Sequence, residues 1–123
     1  MSKKGFRDLV VWQKAKDLAV KVHQLSHAGE FGRDFGLCDQ IRRSAVSIAS
    51  NLAEGDERDT DKEAVRFFYI AKGSLAELRT QIQIACEAGH LKKPVYDDLE
   101  TECERLGKML GSLILARSRP RRF

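Results

Sequence analysis

Three small groups of residues have types and spacings that could do chemistry. Glu54 and Glu77 are candidate paired carboxylates, for acid–base work or for holding two metal ions in a helical core. Bundle sites of that kind also use a Glu-x-x-His motif, and neither carboxylate has a histidine three residues on. His23 and His27 lie one helical turn apart, a spacing that can grip a metal, but a four-coordinate site needs further Cys, Asp or Glu ligands that the sequence does not place there. Lys72-Gly73-Ser74 matches the end of a phosphate loop, yet it lacks the preceding strand and first glycine and sits inside a helical pattern. The chain therefore reads as non-enzymatic, with no metal or cofactor expected.

The more informative polar residues form a stripe. From Gln40 to Gly55, an apolar row of Ile41, Ala45, Ile48 and Leu52 runs beside a polar row of Gln40, Ser44, Ser47, Asn51 and Glu54, spaced 4, 3, 4 and 3 residues apart. A helix turned only to water usually carries Lys and Glu. A seam of short hydroxyls and amides instead suggests close packing on another polar surface, whether helix, subunit or ligand. Gly73 costs roughly 1 kcal/mol against alanine inside a helix, which suggests that a second backbone approaches it. With Ser74 and Glu77 one turn apart, the expected crossing is with the seam. Arg42 and Arg43 are neighbours and diverge by about 100°, so one is expected to pair with Glu54 or Glu77 and the other to face solvent or phosphate.

Charge points to one end of the chain. There are 22 basic and 18 acidic residues, and Arg117, Arg119, Arg121 and Arg122 account for the excess, leaving a neutral body. The expected organisation is one domain over residues 1–116 and a basic tail over 117–123, whose arginines, with Lys3, Lys4 and Arg7, are candidate contacts to RNA or DNA. The three cysteines, Cys38, Cys86 and Cys103, include no C-x-x-C pair and read as small hydrophobes in a reducing compartment. Neither a signal peptide nor a membrane span is legible, so a soluble, cytoplasmic protein is expected.

The elements that position these residues are helices. The first is predicted from about Leu9 to Ala28, with Val11, Ala15, Leu18, Val22 and Leu25 inward and Gly29 ending it. The second runs from about Phe35 to Glu54, closed by Gly55 in a left-handed conformation. The third opens with a capping box at Thr60 and Glu63 and buries Ala64, Phe68, Ala71, Leu75, Leu78, Ile82 and Ala85. The fourth starts at Pro94 and carries Leu99, Cys103, Leu106, Leu110 and Leu113 inward to about Arg117. Four such helices on short connections predict an all-α, antiparallel, up-down-up-down four-helix bundle.

Three stretches together resemble a known family: Phe6 to Ala15 (FRDLVVWQKA); Gln40 to Ser47 (QIRRSAVS) with Asn51 to Gly55 (NLAEG); and Ile70 to Leu78 (IAKGSLAEL). The chain resembles the 23S rRNA intervening sequence proteins, although Phe31-Gly32 and Asp56-Glu57-Arg58 stand where the family commonly has an aromatic-Pro pair and an Arg two residues after the glycine. The resemblance implies ring-forming bundles, typically pentamers, without established enzymatic activity. It also implies similarity in fold to the accessory variability determinant of diversity-generating retroelements, a basic pentamer that binds nucleic acid and partners a reverse transcriptase. Apart from the resemblance, Trp12 and Ala19 beside the first core row, and Phe67 and Ile70 beside the third, widen the apolar face beyond what one bundle covers. The expected partners are therefore further copies of the chain, with a protein partner or nucleic acid as additional candidates.

Overall fold

The computed structural model describes residues 5–119 of the 123-residue chain. Among the described residues there are no strands, and four long helices account for most of the chain: α1 (Val10–Leu25), α2 (Phe35–Asp56), α3 (Asp61–Glu87) and α4 (Lys93–Ser118). Short 3-10 turns at Phe6–Asp8 and Phe31–Arg33 precede α1 and α2. Among the described residues, no helix is long and apolar enough to cross a membrane.

The predicted apolar rows form the core. All seven inward residues of α3 and all four of α2 are buried, with Phe68 the largest side chain fully enclosed. In α4 the row reaches Leu110 and then continues at Ile114, leaving Leu113 half-buried. A straight helix turns in 3.6 residues, so a 4-step replaces a 3-step here. Cys38 and Cys103 are buried within this core and Cys86 is half-buried, all three as free thiols. Burial pushes the Cys103 thiol up to about 12.

The helix ends follow local chemistry. Thr60 accepts a hydrogen bond from the Glu63 amide at 3.2 Å, which starts α3, and Asp34 does the same for Leu37 at 3.3 Å, which starts α2. α3 closes in a Schellman turn: Gly89 has φ +88°, with the His90 amide on the Ala85 carbonyl at 2.8 Å and the Gly89 amide on Cys86 at 3.0 Å. α1 stops at Leu25, short of the expected Ala28, because the buried Ser26 turns the chain toward Gly29 at φ +53°.

Two expectations are corrected at the far end. Gly55 does not terminate α2 in a left-handed turn; it is a buried helical residue, and a Cβ there would meet Phe68 Cε1 at 2.7 Å and the Ala64 carbonyl oxygen at 3.0 Å. The close approach of α2 and α3 is therefore at Gly55. Gly73, expected to mark it, is exposed, with nothing within 4 Å of its Cβ position.

Consecutive helices pack on one another, α2 on α3 most extensively, and α1 also touches α4. Between α2 and α3, Ser44 meets Gln81, Ser47 meets Ser74, and Gly55 meets Ala64 and Phe68. Between α3 and α4, Arg117 meets Asp61, Gly107 faces Leu75, and Arg79 meets Glu100. Lys21 of α1 bonds Asp98 and Glu102 of α4, and its pKa is raised, chiefly by the Asp98 hydrogen bond.

Candidate association surfaces

The polar stripe of α2 splits into members that hold the bundle and members that face outward. Ser44, buried, donates to Gln81 Oε1 at 2.6 Å, and Gln81 is itself only 8% exposed. Asn51 donates to the Ser47 carbonyl at 2.8 Å and to Ser47 Oγ at 3.0 Å, and the Ser47 and Ser74 hydroxyls share a hydrogen bond at 2.8 Å. Ser44 and Ser47 thus bond across to α3, and Asn51 supports them from their own helix. Gln40, Glu54 and Glu77 are exposed. A shallow polar cleft of about 290 Å³ brings Gln40, Arg43, Ser44, Ser47, Glu77 and Gln81 together, without Glu54. Because Gly55 sits opposite Phe68, Glu54 lies about 14 Å along α3 from Glu77, too far for a carboxylate pair.

The arginines are mostly committed to the fold. Arg42 donates from Nε to Ser26 Oγ at 2.7 Å and from Nη2 to the Ser26 carbonyl at 3.0 Å, tying α2 to the end of α1. Arg43 pairs with Asp39 at 3.0 Å one turn away on an exposed face. Neither reaches Glu54 or Glu77 as expected. Arg117, assigned to the tail by composition, is a helical residue of α4 with Nε 2.7 Å from Asp61 Oδ1, Nη1 3.9 Å from buried Asp56, and its guanidinium 5.7 Å from the Phe68 ring centre. The bundle therefore extends through Ser118, because two acids at the α2–α3 turn need a cation there. Arg119 is exposed just past α4. Arg121 and Arg122 lie outside the described residues.

Several partners had only faint signals in the sequence. Gln81 stands seven residues after Ser74, a helical repeat that places both toward the seam. Asp56 closes a helix at its negative end, an unfavourable place for an acid unless a cation answers it. At the opposite end of the molecule, His90 stacks on buried Phe31 with ring centres 5.3 Å apart and bonds Asp34 at 3.0 Å. That hydrogen bond, above all, holds the Asp34 carboxyl below its ordinary pKa. His27 Nδ1 lies 2.6 Å from the His23 carbonyl, so one ring nitrogen of the candidate pair is engaged by backbone. Among the described residues, no cluster of three or more His, Cys, Asp or Glu is arranged to hold a metal.

One concavity of the surface is apolar. A groove of about 520 Å³ runs between α1 and α2, with Ala19, Ala49 and Ala53 among its small lining residues and with Val20, Val46 and Trp12. Phe6 packs edge-on to Trp12 at 5.1 Å. Arg7, Lys16 and His23 are its ionisable lining, and the groove continues past His23 and Val46 to Arg42 and Arg43. Of the surplus apolar residues read from the sequence, Ala19 is buried and Trp12 half-buried in this groove, Phe67 is half-buried with Arg58 over its ring, and Ile70 is 45% exposed. Tyr69 and Ile84 on α3 join Ile70 as exposed hydrophobics.

Residues 7–112 match the model of a family described as 23S rRNA-intervening sequence protein. No curated protein matches. Among solved structures, the chain is similar to a protein of unknown function from the S23 ribosomal protein family of Bacteroides thetaiotaomicron, with a TM-score of 0.78 and 20% identity over 85% of this chain and 98% of that one. At that identity the likeness speaks for the fold alone.

Proposed function

The chain belongs to the 23S rRNA-intervening sequence protein family, and we propose that it acts as a non-catalytic, self-assembling scaffold in the cytoplasm, built as an antiparallel up-down-up-down bundle and closing into a ring, with five copies as the leading stoichiometry. The pairing register supports the antiparallel arrangement, since residue numbers rise along one helix as they fall along its neighbour, from Ser44 with Gln81 to Gly55 with Ala64. The observation that carries self-assembly is the α1/α2 groove, an apolar concavity of about 520 Å³ on a small domain that also exposes Tyr69, Ile70 and Ile84 elsewhere. Apolar surfaces on two different faces suit a head-to-tail contact, which closes into a ring when the rotation allows. The free cysteines suit a reducing compartment. Light scattering coupled to size exclusion tests the reading: a mass several times the 13.9 kDa of one chain is expected, and 13.9 kDa across micromolar concentrations overturns it.

A second reading, an RNA- or DNA-binding accessory protein that works with the ribosome or a reverse-transcriptase-like partner, draws support from the groove's ionisable lining, Arg7, Lys16 and His23, which includes no acid. Arg42 and Arg117 are already engaged within the fold, so fewer cations remain for phosphates than composition suggests. Titration of single-stranded RNA and DNA at increasing salt decides it. Binding that weakens steeply with salt supports this reading, and no binding at low salt removes it.

A further inference from the structure

Gly73 sits near the middle of α3, where a glycine costs about 1 kcal/mol relative to alanine. No atom of its own chain requires it, since the space over its Cβ position is empty to 4 Å. With Gly73 the same face of the helix carries Ile70, Glu77, Thr80 and Ile84, successive members three or four residues apart, with Ile70 45% and Ile84 51% exposed. A glycine between exposed isoleucines lets a second surface come close to the helix backbone and bury both neighbours.

Resting on the self-assembly reading above, we propose that this outer face of α3 in one copy seats in the α1/α2 groove of the next. The lengths agree: Gly73 to Ile84 and Arg42 to Ala53 each span about 16 Å of helix. The charges agree as well. The groove presents Arg7, Lys16 and His23 without a carboxylate, Arg42 and Arg43 at its mouth being held by Ser26 and Asp39, whereas from Ile70 to Glu87 the exposed charges of α3 are two acids, Glu77 and Glu87, and one cation, Lys72, Arg79 being held by Glu100. Val20 and Val46 of the groove, 48% and 44% exposed, are the apolar partners for Ile84. Each copy offers one groove and one ridge, so the contact is heterologous.

Two single variants test it, Val46→Glu in the groove and Ile84→Glu on the ridge, both at exposed positions where the helical circular dichroism spectrum is expected to match the parent's. Each alone should run as a monomer by light scattering, because a carboxylate then faces an apolar partner. An equimolar mixture should form a heterodimer of twice the 13.9 kDa chain mass, through the intact ridge of one variant and the intact groove of the other. An assembled parent with variants that also stay assembled overturns this pairing and leaves self-assembly standing. Dissociated variants whose mixture remains monomeric overturn it too. A monomeric parent removes both readings.

Discussion

Gly55 and Gly73 are both helical glycines on neighbouring helices, yet one is closed over and the other is open. At Gly55 the aromatic ring of Phe68 occupies the space a side chain would need, and at Gly73 that space is empty. The α2–α3 contact around Gly55 is a finished interface, with apolar rows buried and the seam hydroxyls bonded across. The outer face around Gly73 and the α1/α2 groove are unfinished surfaces, apolar and exposed. Internal stability therefore sits in one part of the chain and the proposed assembly contact in another.

Substitutions at the closed region should have the largest effects on folding. Gly55→Leu forces atoms against Phe68 and the Ala64 backbone, and urea unfolding should show a loss of about 3 kcal/mol by overpacking. Unchanged stability would mean that α2 and α3 separate easily, erasing the contrast. Arg117→Met removes the guanidinium beside Asp56 and Asp61; about 2 kcal/mol should be lost, less than for a fully buried pair because the Arg117 side chain is 26% exposed. Ser44→Ala takes the donor from buried Gln81 and should cost about 1 to 2 kcal/mol, with Gln81→Leu added on top restoring much of it.

The open region should respond in the opposite sense. In the Ile84→Glu background, where the proposed contact is broken, Gly73→Ala should raise stability by about 0.5 to 1 kcal/mol, since helix propensity improves and nothing is displaced. A loss there would show that Gly73 is closed over after all. The smallest effect is expected at the loop end. The depressed Asp34 pKa means that its contribution is present above the ordinary carboxylate range, near pH 4, and is lost as pH falls through the folded value. Between about pH 5 and pH 2, denaturant unfolding should show the parent losing stability more steeply than His90→Ala, which lacks the hydrogen bond that depresses Asp34.

The two glycines also show what was legible in the sequence and why the remainder was not. Gly55 continues the apolar row of Ile41, Ala45, Ile48 and Leu52 by one more 3-step, so its face already pointed inward; the habit of reading a late glycine as a helix stop hid it. Gly73 lies off the row of Ala71 and Leu75, so its face pointed outward. Periodicity carried the helices and nearly all the core, because burial repeats every turn. The ties between Arg117 and Asp61, and between His90 and Asp34, join residues 56 apart in each case, and no local repeat announces a contact of that range. Ser44 and Ser47 were legible as a seam, while Gln40, Glu54 and Glu77 share its spacing but stand too far round their helices to reach across.

The burial of Cys103 has a kinetic side. With its thiol pushed up to about 12, only about one molecule in ten thousand carries the reactive thiolate at pH 8. Cys38 is shielded as well, its Sγ donating toward the Phe31 carbonyl at 2.9 Å, while Cys86 lies nearer the surface. Alkylation should therefore modify Cys86 promptly and the other two only when the bundle opens, so the three thiols act as an internal clock whose slow hands report how often α4 and the start of α2 come away from the core.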